Sequence, residues 1–339
     1  MKKKLYVVVM AMVIVAMLFT ACAPAASEST GEADASKAEE TAAQPAEAAE
    51  DGAGTKVGVS CMDSSWQFFI LVNDGQKEKA DEIGYKINLQ DAKNDAATQM
   101  NQAETFVNQG VDAIVVDTID EGSLQNICQK SVEKGIPFIA RWTAVEGATV
   151  NMVLDEYAYG EAIGKLAGEW AQENYPDQEV EAAILGMFDY KPSVIRIEGI
   201  KDAFLKAFPT GKIVAEEQAN DVETGMKAME TIYQAHPNVR IVMGDSDDTA
   251  AIGATEALKS MIPAEDYDKY YVGGADAVDQ AIALIKEGSP MKATVDLMNK
   301  QIGVKTIELI EQIKAGEEVP AEYYFEFKPL SYDDVMANY

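Results

Sequence analysis

Lys56-Val57-Gly58-Val59-Ser60-Cys61 opens the segment that decides the architecture. Its β-branched and small residues suit a strand buried on both faces. A polar turn, Asp63-Ser64-Ser65, leads into Trp66-Gln67-Phe68-Phe69 and an amphipathic stretch that ends at Gly84-Tyr85, after which Lys86-Ile87-Asn88-Leu89-Gln90 reads as a second strand. Strand, helix and strand in about 35 residues make one parallel βαβ unit. The same alternation runs outward from it. Strands are predicted at 56 to 61, 86 to 90, 112 to 117 and 137 to 141, separated by helices near 66 to 84, 96 to 110 and 122 to 135. Beyond Val150 come a helix at 157 to 174, strands at 180 to 186, 212 to 217, 239 to 244, 269 to 274 and 291 to 296, and helices at 193 to 207, 222 to 235, 248 to 260, 277 to 287 and 299 to 315. Right-handed crossovers put helices on both faces of each sheet, so the expected fold is α/β, with two doubly wound parallel-sheet lobes. Open sheets of this kind bind ligands at the carboxyl ends of their strands, which places function in the cleft between the lobes.

The composition narrows the function classes. Of 339 residues, 28 are Lys or Arg and 57 are Asp or Glu, for a formal net charge of −29. Such a chain repels nucleic acid phosphates and offers no clustered basic footprint for them. An apolar content of 47% supports sizeable cores and excludes global disorder. Enzyme chemistry is not expected. His236 is the one histidine and sits beside Pro237 in a loop, so no nucleophile can be paired with a general base. Neither metal-ligand spacing nor a dinucleotide glycine fingerprint occurs, and no cofactor is expected. Gly160-Glu161-Ala162-Ile163-Gly164-Lys165 falls one residue short of a phosphate-cradling loop, so its glycines are read as helix packing.

The amino terminus is an address. Lys2, Lys3 and Lys4 precede an apolar run from Leu5 to Ala21, and Phe19-Thr20-Ala21-Cys22 ends in a small residue followed by cysteine. Residues 1 to 21 therefore read as a bacterial lipoprotein signal, with Cys22 as the lipidated mature terminus. From 22 to 54 the chain is rich in alanine and acid and has no aliphatic side chain larger than alanine, which suits a disordered tether holding the body off the membrane. The two remaining cysteines, Cys61 and Cys128, are expected to be buried thiols and not a bridge.

The segment that opens the fold resembles the ribose-binding-like family of ABC transporter solute-binding proteins, in which two aromatics in the first loop precede a helix ending in Gly-Tyr. Further matches are Gly110-Val111-Asp112-Ala113-Ile114, Gly135-Ile136-Pro137-Phe138-Ile139, Arg196 with Gly199, Ala235-His236-Pro237, Asp248 leading to Ala251-Ile252-Gly253-Ala254, and Gln301-Ile302-Gly303. The likeness covers 55 to 320 in unbroken order. It implies a type I periplasmic-binding fold whose lobes cross three times, near 154, 297 and 322. The first lobe would then be 55 to 154 plus 298 to 322, and the second 155 to 297 plus 323 to 339.

Residue by residue, the resemblance maps the aromatic pair onto Phe68 and Phe69, the guanidinium of the second lobe onto Arg196, and the strand-end amide onto Asp247. Aromatic faces suit the C–H faces of a sugar ring, and an arginine fork donates paired hydrogen bonds to hydroxyls. The departures are equally informative. Trp66 stands where the family often has asparagine. Ala140-Arg141-Trp142-Thr143 replaces the usual sugar clamp, placing Trp142 and Thr143 at its positions beside Arg141. Gly273-Gly274-Ala275-Asp276 shifts a carboxylate by one, and Leu297 beside Asp296 takes the place of a late glutamine. Asp189, with Tyr190 in the loop from Phe188 to Pro192, and Asn220 complete the candidate set. The site is expected to be more aromatic and more acidic than a pentose site.

The function implied is the extracytoplasmic, lipid-anchored binding component of an ABC importer. It would be a monomer that closes on a sugar or polyol and delivers it to permease subunits. A sensory protein presenting its ligand to a receptor, and a binder of a nucleoside or cationic metabolite, are the alternatives that the sequence leaves open. A repressor effector domain shares the fold but needs a DNA-binding head where this chain has a signal and a spacer.

Overall fold

The computed structural model describes residues 54–339; the signal, Cys22 and nearly all of the tether lie outside the described residues. Two six-stranded sheets organise the body. The first is built from β1 (Lys56–Cys61), β2 (Lys86–Asp91), β3 (Ala113–Asp117), β4 (Phe138–Trp142), β5 (Val150–Val153) and β11 (Glu322–Tyr324), in the spatial order β11-β5-β4-β3-β1-β2 with every pair parallel. The second contains β6 (Val180–Gly186), β7 (Gly211–Gln218), β8 (Val239–Gly244), β9 (Tyr271–Gly273), β10 (Met291–Asp296) and β12 (Lys328–Leu330). Its order is β12-β10-β9-β8-β6-β7, parallel except for β12 against β10. The chain passes between the sheets three times: after β5, after β10, and between β11 and β12.

Among the described residues ten α-helices cover these sheets: α1 (Gln67–Glu82), α2 (Ala96–Gln109), α3 (Glu121–Glu133), α4 (Glu156–Asn174), α5 (Lys191–Ala207), α6 (Val222–Ala235), α7 (Ile252–Met261), α8 (Asp279–Lys286), α9 (Asn299–Ala315) and α10 (Tyr332–Asn338). Burial on both faces explains why the strands are nearly continuous apolar runs. In the first sheet Ala113, Val115 and Ile139 join one core cluster, whereas Ile114, Val116, Phe138 and Ala140 join another with Phe106 and Leu124. That two-residue period sorts side chains to opposite faces of a sheet. Cys61 and Cys128 are free thiols buried in separate clusters, and burial pushes Cys61 up to about 12 and Cys128 to about 11.

Glycines set the closest helix contacts. A Cβ on Gly160 of α4 would lie 1.9 Å from the Arg196 carbonyl oxygen of α5, and one on Gly303 of α9 would lie 2.0 Å from the Val72 carbonyl oxygen of α1. Each lobe thus carries a helix pair whose backbones touch, and the Gly160 to Lys165 stretch is the helix packing its sequence suggests. The α1–α9 contact also returns the late helix to the first lobe.

Candidate functional site

A small cavity of ≈ 70 Å³ lies between the two sheets, lined by residues of both lobes. Its lining begins at strand ends in both lobes: Met62 follows β1, Trp142 ends β4, Leu154 follows β5, Met187 follows β6, Ser246 follows β8, and Leu297 follows β10. One wall is aromatic. Trp66 stacks on Phe69 at 5.8 Å, Phe68 meets Phe69 edge-on at 5.0 Å, and Trp142 meets Phe68 at 5.1 Å, with Phe325 behind it at 4.9 Å. Trp142 holds a φ of 72°, a conformation costly for a bulky side chain. Its indole Nε1 donates to Asp117 Oδ1 at 2.7 Å, which fixes the ring.

The opposite wall is polar. Arg196 of α5 donates from Nε to Glu156 Oε2 at 2.8 Å and from Nη1 to the Asp245 carbonyl oxygen at 2.8 Å, and its guanidinium lies 4.9 Å from the Tyr159 ring centre. The Tyr159 hydroxyl in turn donates to Asp276 Oδ1 at 3.0 Å. Burial opposes the Arg196 charge, but Glu156, Asp276 and Asp245 outweigh it and hold the guanidinium protonated. Burial raises the Glu156 carboxyl despite the Arg196 partner. It also pushes Asp276 up to about 7, against the pull of Arg196 and the Tyr159 hydroxyl. Asp248 completes the polar lining, its carboxyl likewise raised by burial. Among the described residues no cluster of His, Cys, Asp and Glu could hold a metal ion.

Residues 57–318 match the family model described as a periplasmic binding protein domain. The chain belongs to this family. Within it, the periplasmic-binding body is 25% identical over 263 residues to the ribose import binding protein of Salmonella typhimurium, covering 77% of this chain and 85% of the relative. It is 29% identical over 230 residues to the D-apiose import binding protein of Actinobacillus succinogenes, covering 67% and 71%. A solved ABC transporter solute-binding protein from Bacillus halodurans with bound myo-inositol superposes with a TM-score of 0.72 at 26% identity, covering 85% of this chain and 98% of that one. The two α/β lobes expected from the sequence are those of the family, and the family and these relatives are binding proteins, not enzymes.

The periplasmic-binding cavity gathers Trp66, Phe68, Phe69, Trp142, Arg196 and Asp276 from the candidate set. Asp189 and Asn220 line an adjoining hollow that shares Met62, Trp66, Met187 and Tyr190 with the cavity, and both accept from Gln218 Nε2. Three candidates line neither the cavity nor the hollow. Arg141 is wholly buried under the aromatic wall, where Nε and Nη2 donate to Asp117 at 2.7 and 3.0 Å and Nη1 donates to Gln76 Oε1 at 3.1 Å. Asp247 turns into the second lobe and accepts from Thr294 Oγ1 at 2.9 Å, because the π turn Asp247–Ala251 presents Asp248 to the cavity instead. Asp296 accepts from the Met298 N–H at 2.7 Å and from the Tyr339 hydroxyl, while its neighbour Leu297 lines the cavity. Glu156, Ser246, Asp248 and Thr249 are the polar lining residues that were not anticipated. The Asp155-Glu156 pair directly after the first passage between lobes was the available signal for Glu156.

Asp276 carries a pH prediction. Its usual carboxyl value of 3.8 rises to about 7 in the folded chain. Between those values the folded protein keeps a proton that the unfolded chain has released, so this residue makes stability fall as pH climbs through that window. Asp276→Asn should therefore raise the melting temperature more at pH 8 than at pH 5. Equal shifts at the two pH values would mean that Asp276 does not titrate between them.

Proposed function

We propose that the chain is the extracytoplasmic binding component of an ABC importer and that it captures a small sugar or cyclic polyol by closing its two lobes. The carrying observation is the division of the cavity: the first lobe brings the aromatic wall of Trp66, Phe68, Phe69 and Trp142, and the second brings the polar wall around Arg196, Asp248 and Asp276. A polyhydroxylated ring has apolar C–H faces and a polar rim, so it needs both walls at once. Each wall alone makes half of the contacts, which favours the closed form when solute is present. Lipidation at Cys22 would hold the protein at the membrane beside its permease subunits, with one monomer delivering one solute. The imports named for the ribose and D-apiose relatives support the solute class.

The test is a thermal-shift screen with D-ribose, D-apiose and myo-inositol, read beside scattering. A binding sugar or polyol should raise the melting temperature by mass action, reduce the radius of gyration, and bind almost equally in low and high salt. A second reading has one observation in its favour: Glu156, Asp248 and Asp276 outnumber Arg196 on the lining, which suits a cationic solute. If choline or a polyamine shifts the melting temperature in a salt-sensitive manner and none of the three polyhydroxylated probes does, the sugar assignment is wrong.

A further inference from the structure

Two helices that border the cleft from opposite lobes have no side-chain cap of their own. α1 starts after Trp66 and α8 after Val278, and neither of these side chains accepts a backbone N–H. Asp95, Asp120, Asp155, Asp221 and Ser331 cap α2, α3, α4, α6 and α10 from the adjoining residue, whereas α5, α7 and α9 also start without a side-chain cap. The first turn of a helix leaves backbone donors that need an acceptor, and a side-chain carboxylate or amide oxygen serves best. For α1 and α8 the acceptor comes from the other lobe. The Phe68 N–H donates to Asp248 Oδ2 at 2.8 Å, and the Gln280 N–H donates to Gln67 Oε1 at 3.2 Å. Both donors are the second residue of their helix. The exchange is reciprocal, since α1 lends Gln67 to α8 while the lobe of α8 lends Asp248 to α1.

We propose that this exchange of caps is the latch of the closed body, with Asp248 as the positioning residue of the aromatic wall. When the lobes are together each helix is completed by its opposite; when they part, both first turns lose their acceptors at once. Phe68 and Phe69 belong to the first turn of α1, so the same hydrogen bond that holds the lobes also fixes the rings that face the cavity. Asp248 adds its negative charge at the helix end where the macrodipole favours it. One oxygen of its carboxylate is thereby engaged with the backbone of α1, while the residue remains on the cavity lining. The inference concerns the two-lobed body and depends on no particular solute.

Hydrogen exchange on the full chain tests it, for the wild type and for Asp248→Ala, Asp248→Asn and Gln67→Ala. Each is measured free and with D-ribose, D-apiose or myo-inositol, and compared in the condition that gives the smallest radius of gyration. Amides of the first turn of α1 should exchange about five-fold faster in Asp248→Ala than in the wild type, the factor expected for loss of an ordinary cap. Asp248→Asn, which keeps the acceptor and drops the charge, should restore most of the protection. Because the caps belong to one latch, Asp248→Ala should also speed exchange at Gln280, and Gln67→Ala should speed it at Phe68. Wild-type protection in Asp248→Ala would overturn the proposal, as would Asp248→Asn behaving like Asp248→Ala. Effects confined to each variant's own helix would reduce the exchange to two unrelated caps and overturn the latch. These readings are taken in the free protein too, so a failure of the sugar screen leaves them interpretable.

Discussion

Asp117→Ala should destabilise the protein by about 3 to 5 kcal/mol, the usual consequence of removing one member of a buried ion pair. Asp117 and Arg141 are both wholly buried at the ends of adjacent parallel strands, with two guanidinium nitrogens on the two carboxylate oxygens. Without the carboxylate, the guanidinium keeps only Gln76 Oε1 and Thr306 Oγ1, at 3.1 and 3.4 Å, to satisfy a full charge away from water. The same Asp117 oxygen that receives Arg141 Nε also receives Trp142 Nε1. Losing it frees the indole from the orientation that its strained backbone serves, so tryptophan fluorescence should change along with stability. Denaturant unfolding measures the first effect as a lower midpoint at unchanged slope. Replacing the pair together, Asp117→Leu with Arg141→Met, should recover most of the lost stability, because a well-packed apolar pair avoids the orphaned charge. A midpoint for Asp117→Ala within about 0.5 kcal/mol of the wild type, the range of ordinary surface substitutions, would show that this network does not hold the first lobe together.

Arg141 also marks the boundary of what the sequence makes legible. The alternation of strands and helices is plain because parallel strands buried on both faces are continuous apolar runs, and helix caps such as Asp95 and Asp120 punctuate them. Three of the four strands of three or four residues, β5, β11 and β12, carry no such run and are placed by pairing: β5 beside β4, β11 beside β5, and β12 antiparallel to β10. At the site, the family resemblance pointed to Phe68, Phe69, Trp142 and Arg196, and the fold brings these four to one cavity. Whether Arg141 or Trp142 faces the cavity was not readable, since both close the same strand and both bond to Asp117. Asp247 and Asp248 present the same difficulty. Two adjacent acids before a helix look alike until the π turn puts one into the lobe and the other on the lining. Asp248's service to α1 spans 180 residues of sequence, a separation at which local pattern has nothing to say.

Arg196→Ala should cost about 2 to 4 kcal/mol of binding for whichever polyhydroxylated probe the screen identifies, the range of a central charged hot spot. Arg196 is the one cation among the described lining residues. It joins Glu156 at the start of α4 to the end of β8 through the Asp245 carbonyl, and it lies over the ring of Tyr159. Its removal takes away a donor to solute hydroxyls and leaves acidic neighbours without their counter-charge. The second consequence gives a pH signature. Arg196 lowers the carboxyl values of both Glu156 and Asp276, which burial raises. In the alanine variant these carboxyls therefore move further up, and the folded chain holds protons over a wider span above the unfolded values. Stability then falls more steeply with rising pH than in the wild type, so the variant should lie closest to wild type near pH 5 and furthest from it near pH 8. Arg196→Lys restores the charge without the planar fork, and it should recover the pH behaviour more fully than the affinity. Titration calorimetry at both pH values, set beside denaturant midpoints, separates the two effects. Wild-type affinity in Arg196→Ala would remove the guanidinium from solute contact, and parallel stability profiles would remove it from the charge balance of the cavity.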